Sequence, residues 1–166
     1  MNARVIAVNT SSAHTFSKPA AAQITLLAGL GVEGDAHCGV TVKHRSRVAQ
    51  DPSQPNLRQV HLIHAELFDE LARRGFSVGP GQIGENLTVE GLDWDKVAPG
   101  ARLLLGEDVL VEVTRYTSPC ASIRTSFRGG EYARVSQKRH PGASRVYARV
   151  LRTGAIRRGD PVRLLP

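Results

Sequence analysis

Cys120 stands in the run Tyr116-Thr117-Ser118-Pro119-Cys120-Ala121-Ser122-Ile123, just past the alternating β-branched stretch Val109 to Tyr116. Pro119 fixes the backbone before it, and the small Ala121 and Ser122 leave the sulfur accessible. Arg115 and Arg124 flank the position, and positive charge favours thiolate over thiol. A thiolate so placed can attack an electrophile, carry a persulfide or ligate a soft metal. A buried structural cysteine fits the same spacing.

Two further groups carry chemistry. Glu33-Gly34-Asp35-Ala36-His37 sets two carboxylates and an imidazole on a glycine-pinned turn, the residue types that acid–base work requires. The plain alternative is that Asp35 caps the turn and His37 bonds to backbone. Lys43-His44-Arg45-Ser46-Arg47 holds three cations and a histidine in five positions. If extended, it puts Lys43, Arg45 and Arg47 on one side as a clamp for phosphate, which Lys18 could join; a solvated basic loop is the other reading. His37, Cys38, His61 and His64 match no zinc-ligand spacing. Gly79 to Gly84 is not followed by the Lys-Ser or Lys-Thr of a phosphate loop, and there is no serine-centred nucleophile elbow.

The elements that position these residues are mostly strands. Ala3 to Val8, Ile24 to Ala28, Gln59 to Ile63, Ile83 to Glu90, Arg102 to Leu105, Val109 to Tyr116, Ser144 to Leu151 and a short piece from Asp160 to Leu164 read as β. Gly106-Glu107-Asp108 predicts a hairpin between two of them. One helix is expected from about Ala65 to Arg74, with Leu67, Phe68 and Leu71 on one face and Gly75 as its stop. Thr41 to Pro55 reads as a long polar loop. Short strands punctuated by turns, with one main helix, predict a mainly β chain folded as a barrel.

Composition bounds the rest. A chain of 166 residues with 41% hydrophobic and 22% charged content predicts one domain, residues 1–166, with a sizeable core. No stretch approaches the roughly 20 apolar residues that span a bilayer, and the N-terminus lacks a signal-peptide core, so a cytoplasmic location and no membrane partner are expected. Two cysteines are too few for a disulfide framework. Charge is uneven: from Arg115 onward, 12 Lys or Arg face only Glu131 and Asp160, a net +10, whereas the preceding part carries 10 basic and 13 acidic residues, a net −3. Of the 22 basic residues 18 are Arg, which suits an anionic partner. A basic barrel binding nucleic acid is one such reading, but an aromatic content of 5% and the lack of an aromatic ladder argue against it.

Gly31-Val32-Glu33-Gly34-Asp35-Ala36-His37, Gly84-Glu85-Asn86-Leu87-Thr88 and Ser118-Pro119-Cys120 occur in the order in which the MOSC family carries them, and the chain resembles that family from about Ala3 to Val162. The family is the C-terminal domain type of molybdenum cofactor sulfurases and also occurs as small stand-alone bacterial proteins. The resemblance implies a MOSC-like β-barrel with one main helix and a few short helical decorations, and a molybdopterin-type molybdenum cofactor. It makes Cys120, Asp35 and His37 the catalytic set, and Lys18, Lys43, Arg45, Arg47, Asn86, Ser122 and Arg124 the cofactor-binding set. Thr88 shapes the pocket with Asn86 or serves the strand–turn alone. Cys120 then carries sulfur received from a cysteine desulfurase, or ligates molybdenum while an N-hydroxylated compound is reduced with electrons from another protein. Partner proteins are accordingly a desulfurase, a molybdoenzyme or an electron donor. Full sulfurases also hold a pyridoxal-phosphate desulfurase domain; with four lysines and none in a Schiff-base setting, no pyridoxal phosphate is expected here.

Overall fold

In the computed structural model, which describes residues 2–15, 17–43, 45–117, 135 and 145–166, ten strands and two α-helices follow one another along the described chain. Strands β1 (Arg4–Val8), β4 (Val60–His64), β5 (Leu87–Glu90), β6 (Arg102–Leu105), β7 (Val109–Tyr116), β8 (Val146–Arg152) and β10 (Val162–Leu164) form one sheet in the order β1-β5-β4-β8-β7-β6-β10. Its two ends meet. Arg4 bridges Pro161, Val5 N–H donates to the Asp160 carbonyl at 2.8 Å, and Val162 N–H to that of Ala3 at 3.0 Å. Closure leaves few strand edges unpaired, which is what a barrel achieves. A smaller sheet, β3 (Gly31–Val32)-β2 (Ile24–Leu27)-β9 (Gly154–Ile156), accompanies the barrel.

Alternation decides what faces inward. Val109, Val111 and Val113 of β7 enter the barrel core with Val146, Ala148 and Val150 of β8 and Val60 and Leu62 of β4. The intervening residues form the outer face. A register shift between Val113 and Arg115 breaks the alternation: Val113 pairs with Ala148, but Arg115 pairs with Tyr147. Without this bulge Arg115 would follow Val113 into the apolar interior. With it, Tyr116 packs on the core and Arg115 joins the outer face.

β4 and β5 are the one parallel pair in the sheet, and a parallel pair needs a crossover. Helix α2 (Ala65–Arg73) supplies it and buries Leu67, Phe68 and Leu71. Gly75 N–H donates to the Ala72 carbonyl and Phe76 N–H to that of Leu71, so the helix ends in a Schellman turn whose Phe76 joins Leu71 in a satellite core. That cluster also takes Ile63, Val78, Ile83 and Val135, the one described residue between 118 and 144.

The expected strands recur with ends shifted by a few residues, most at Ile83 to Glu90, of which only Leu87–Glu90 is a strand. Inside the expected polar loop the structure instead holds a second helix, α1 (Arg45–Gln50). Its turn of about 100° per residue sends Arg45 and Arg47 about 200° apart. The single-sided clamp expected of Lys43, Arg45 and Arg47 therefore does not form. No helix among the described residues is long and apolar enough to cross a membrane.

Candidate functional site

The site begins with a row of residues at one level of the outer face. Strand register places Arg115 of β7 beside Tyr147 of β8, and Tyr147 beside His61 of β4. The His61 and Tyr147 rings meet edge to face at 4.1 Å. Asn86, just before β5, continues the row: its N–H donates to the His61 carbonyl at 3.0 Å, and its Oδ1 accepts the His61 N–H at 3.1 Å.

The turn after β3 lies over this row. A Cβ at Gly31 (φ +120°) would fall 2.8 Å from the Gln59 carbonyl oxygen, so only glycine lets β3 approach the start of β4 so closely. The turn then delivers Asp35 and His37. Asp35 Oδ1 accepts from Ser11 N–H (3.1 Å), Thr10 Oγ1 (3.3 Å), Lys18 Nζ (2.8 Å) and Asn86 Nδ2 (3.1 Å), and Oδ2 accepts from Lys18 Nζ (2.9 Å) and His37 N–H (3.1 Å). Both side chains of the Lys18–Asp35 pair are essentially inaccessible, at 2% and 0% exposure. Burial pushes the Asp35 carboxyl up, but the His37 hydrogen bond and the Lys18 ammonium outweigh it and hold the group well below the usual carboxylate range. Asp35 is thus a permanent anion at neutral pH. His37 Nδ1 lies 3.4 Å from Lys18 Nζ and 3.5 Å from Asp35 Oδ2, and its ring contacts those of His14 (5.3 Å) and His61 (5.4 Å). Lys18, Asp35, His37 and Asn86 are therefore brought together.

Glu85 is wholly buried and braces this pair from behind. Its Oε1 accepts the Gly81 N–H, and the Gly81 carbonyl accepts the Lys18 N–H at 2.8 Å. A Cβ at Gly81 (φ +83°) would fall 2.2 Å from the Lys18 carbonyl oxygen. Burial pushes the Glu85 carboxyl up against the pull of neighbouring N–H groups and of Arg145, which is itself buried and donates to the Ile83 carbonyl.

A second group is cationic and, among the described residues, holds no acid. Arg58 is buried, with its guanidinium 5.4 Å from the centre of the Tyr147 ring. Burial, then the charges of Arg115 and Arg47, push its pKa down, opposed by Tyr147, which also hydrogen-bonds to it. Among the described residues no carboxylate makes an ion pair with Arg47, Arg58 or Arg115, and Arg115 Nε and Thr117 Oγ1 are buried without a hydrogen-bond partner. Asn56 ties this group to the turn above: its Nδ2 donates to the carbonyls of His37 and Gly39, both at 2.8 Å, and its Oδ1 accepts the Arg58 N–H.

Lys43 and Arg45 stand elsewhere. With His14 they line a hollow of about 580 Å³ over Val42, Val48 and Pro52. Burial, then Asp35 and Glu33, push the Cys38 thiol up, opposed only by Lys43. Among the described residues no three His, Cys, Asp or Glu side chains converge as a metal-binding set. Cys120, Ser122 and Arg124 lie outside the described residues.

Sequence reading did not single out Asn56, Arg58, Tyr147 or His14. Nothing local marks them, because their role comes from register and from a loop folding over the sheet.

The model of the MOSC domain matches residues 37–163, well over half of the chain. This chain belongs to the MOSC family. Solved structures agree on the fold. The YuaD protein of Bacillus subtilis superposes with a TM-score of 0.75 at 20% identity, covering 98% of this chain and 94% of that one. YiiM of Geobacillus stearothermophilus gives 0.67 at 20% identity (99% and 75%), and YiiM of Escherichia coli 0.66 at 22% (100% and 70%). A protein of Gibberella moniliformis named "Reductase" is 34% identical over 85 residues, 51% of this MOSC chain. The match spans only 15% of that relative's length.

Proposed function

We propose that this MOSC protein binds a molybdopterin-type cofactor through Arg47, Arg58 and Arg115 and works on it with the sulfur of Cys120. One observation carries the reading: the charges of Arg47 and Arg115 bear on the buried Arg58, and among the described residues no carboxylate is ion-paired with any of the three, where β7 ends four residues before Cys120. The donor set fits the group. A phosphate wants several N–H and O–H donors and no competing acceptor; Arg58, Arg115 Nε and the Thr117 hydroxyl, the last two without a hydrogen-bond partner among the described residues, supply them. When bound, the cofactor supplies a metal centre that accepts sulfur or transfers electrons.

In the sulfur-carrying reading, the Cys120 thiolate attacks the outer sulfur of a desulfurase persulfide. One S–S bond forms as another breaks, the donor cysteine leaves as thiolate, and no net oxidation occurs. The naming of the fungal relative favours a second reading, reduction. An N-hydroxylated compound would then lose its N–O bond on gaining two electrons and two protons and leave as amine and water, the electrons coming from a flavin or iron–sulfur protein. In either reading Asp35 stays ionised and fixes Lys18 and the His37 loop, while the His37 imidazole is the group that moves a proton.

Elemental, pterin and mass analysis of protein purified natively from a molybdenum-replete host tests this, comparing wild type with Cys120→Ser and Arg58→Gln. Molybdenum and pterin in the wild type, lost in Arg58→Gln, support the cofactor site. An added sulfur atom absent from Cys120→Ser supports carriage, and turnover with an N-hydroxylated substrate supports reduction. Wild-type protein holding neither pterin nor sulfur overturns the proposal.

A further inference from the structure

We infer that the hollow lined by His14, Lys43 and Arg45 is a second, separate anion site that takes a small organic anion with a flat apolar body. Naming that anion as the substrate rests on the function proposed above; the binding site itself does not.

Charge and shape both point there. Neither Lys43 nor Arg45 is ion-paired with an acid among the described residues, and α1 directs Arg45 away from the Arg47–Arg58–Arg115 group. The Lys43 stem lies against Gly39, where a Cβ would fall 2.5 Å from its Cε, so a side chain at Gly39 would displace the cation. Under these cations are Val42, Val48 and Pro52, a floor that water solvates poorly. The three large apolar side chains exposed among the described residues, Val40, Val48 and Leu57, all belong to this same 40–57 stretch. Cationic rim and apolar floor together select a carboxylate or phosphate ester on an apolar body over a bare inorganic ion.

The hollow is also wired to the chemistry. His14 meets His37 edge to face at 5.3 Å, and His37 sits against the Lys18–Asp35 pair. Burial, then the charges of His37, Arg45 and Lys18, hold the His14 pKa down, with Asp35 alone opposing. An anion between Arg45 and His14 would offset that repulsion, so His14 reports occupancy.

The test is a histidine-resolved NMR titration of the full chain with phenyl phosphate, benzoate, benzamide and inorganic phosphate, using His14→Gln to assign the resonance. The expected result is that phenyl phosphate or benzoate binds and raises the His14 pKa, whereas benzamide and inorganic phosphate bind at least about tenfold more weakly. Lys43→Gln/Arg45→Gln, a change at exposed positions, should weaken the anion by about tenfold or more, roughly the loss of one charged contact. Cys120→Ser and Arg58→Gln should leave its affinity within about twofold. Unchanged affinity in the double variant, equal affinity for inorganic phosphate, or loss confined to Arg58→Gln each overturns the inference. Failure of the cofactor reading appears separately, as absent pterin and sulfur, and leaves this titration intact.

Discussion

The Lys18–Asp35 cluster and the Arg47–Arg58–Arg115 group are joined through Asn56 and His37, yet they treat charge in opposite ways. Around Lys18 each carboxylate oxygen has two or more donors and the ammonium has its counter-charge at 2.8 Å. Around Arg58, whose guanidinium lies over the Tyr147 ring, the charges of Arg115 and Arg47 add to its own, and among the described residues no acid is ion-paired with any of the three. A fold gains nothing by crowding like charges, so the first cluster reads as architecture and the second as the group that holds the anion in the proposed function. The difference teaches which buried charge to read as scaffold and which as site.

The largest effect that would test this contrast is Asp35→Ala, which strands the Lys18 ammonium in the interior. It should cost about 3–5 kcal/mol in urea unfolding, and Lys18→Met/Asp35→Leu should recover most of the loss. Acid gives the same contrast by another route. Because the folded Asp35 pKa is depressed, its contribution is complete above the ordinary carboxylate value and lost as pH falls toward the folded one. Wild-type melting temperature should therefore fall below about pH 4, and Asp35→Asn should flatten that part of the profile.

Arg58→Gln should do the reverse of Asp35→Ala. Stability stays within about 1 kcal/mol, because like-charge repulsion is relieved, while retention of the phosphate-bearing cofactor drops at least about tenfold. Destabilisation as large as that of Asp35→Ala would erase the distinction. The smallest effect is expected at Glu112, which links Arg102 (2.9 Å) and Arg149 (2.7 Å) across the exposed face of β6, β7 and β8. Although both arginines are paired with it, Glu112→Ala should cost no more than about 1 kcal/mol in the same urea titration, since water already screens the pairs.

Much of the fold was legible because it is written locally. Alternation in Val109 to Tyr116, Gly106 at φ +63°, and the apolar face of α2 ending at Gly75 each carry their own signal. β3 and β9, at two and three residues, are too short to show a period. Helix α1 was invisible because it buries almost nothing; Val48, its one large apolar side chain, is 37% exposed. The site was half legible for the same reason. Asp35, His37 and Asn86 sit in recognisable runs, but the Lys18–Asp35 pairing joins positions 17 apart through a loop, and Arg58 matters only once register sets Tyr147 beside Arg115. Cys120, the most legible residue of all, falls outside the described residues, so its part rests on the proposal.

Thr117 N–H donates to the Arg145 carbonyl at 3.0 Å, so the outgoing and returning ends of residues 118–144 are stitched together as neighbours on β7 and β8. Whatever is spliced between them inherits a closed base, and each doubling of its length adds only about 0.6 kcal/mol of closure entropy. A chimera carrying another family member's version of this stretch should leave the barrel standing, provided it keeps an apolar graft point where Val135 plugs the satellite core. The barrel and the stretch that carries Cys120 are thus separable parts, so the reactivity assigned to that cysteine can be exchanged without rebuilding the sheet beneath it.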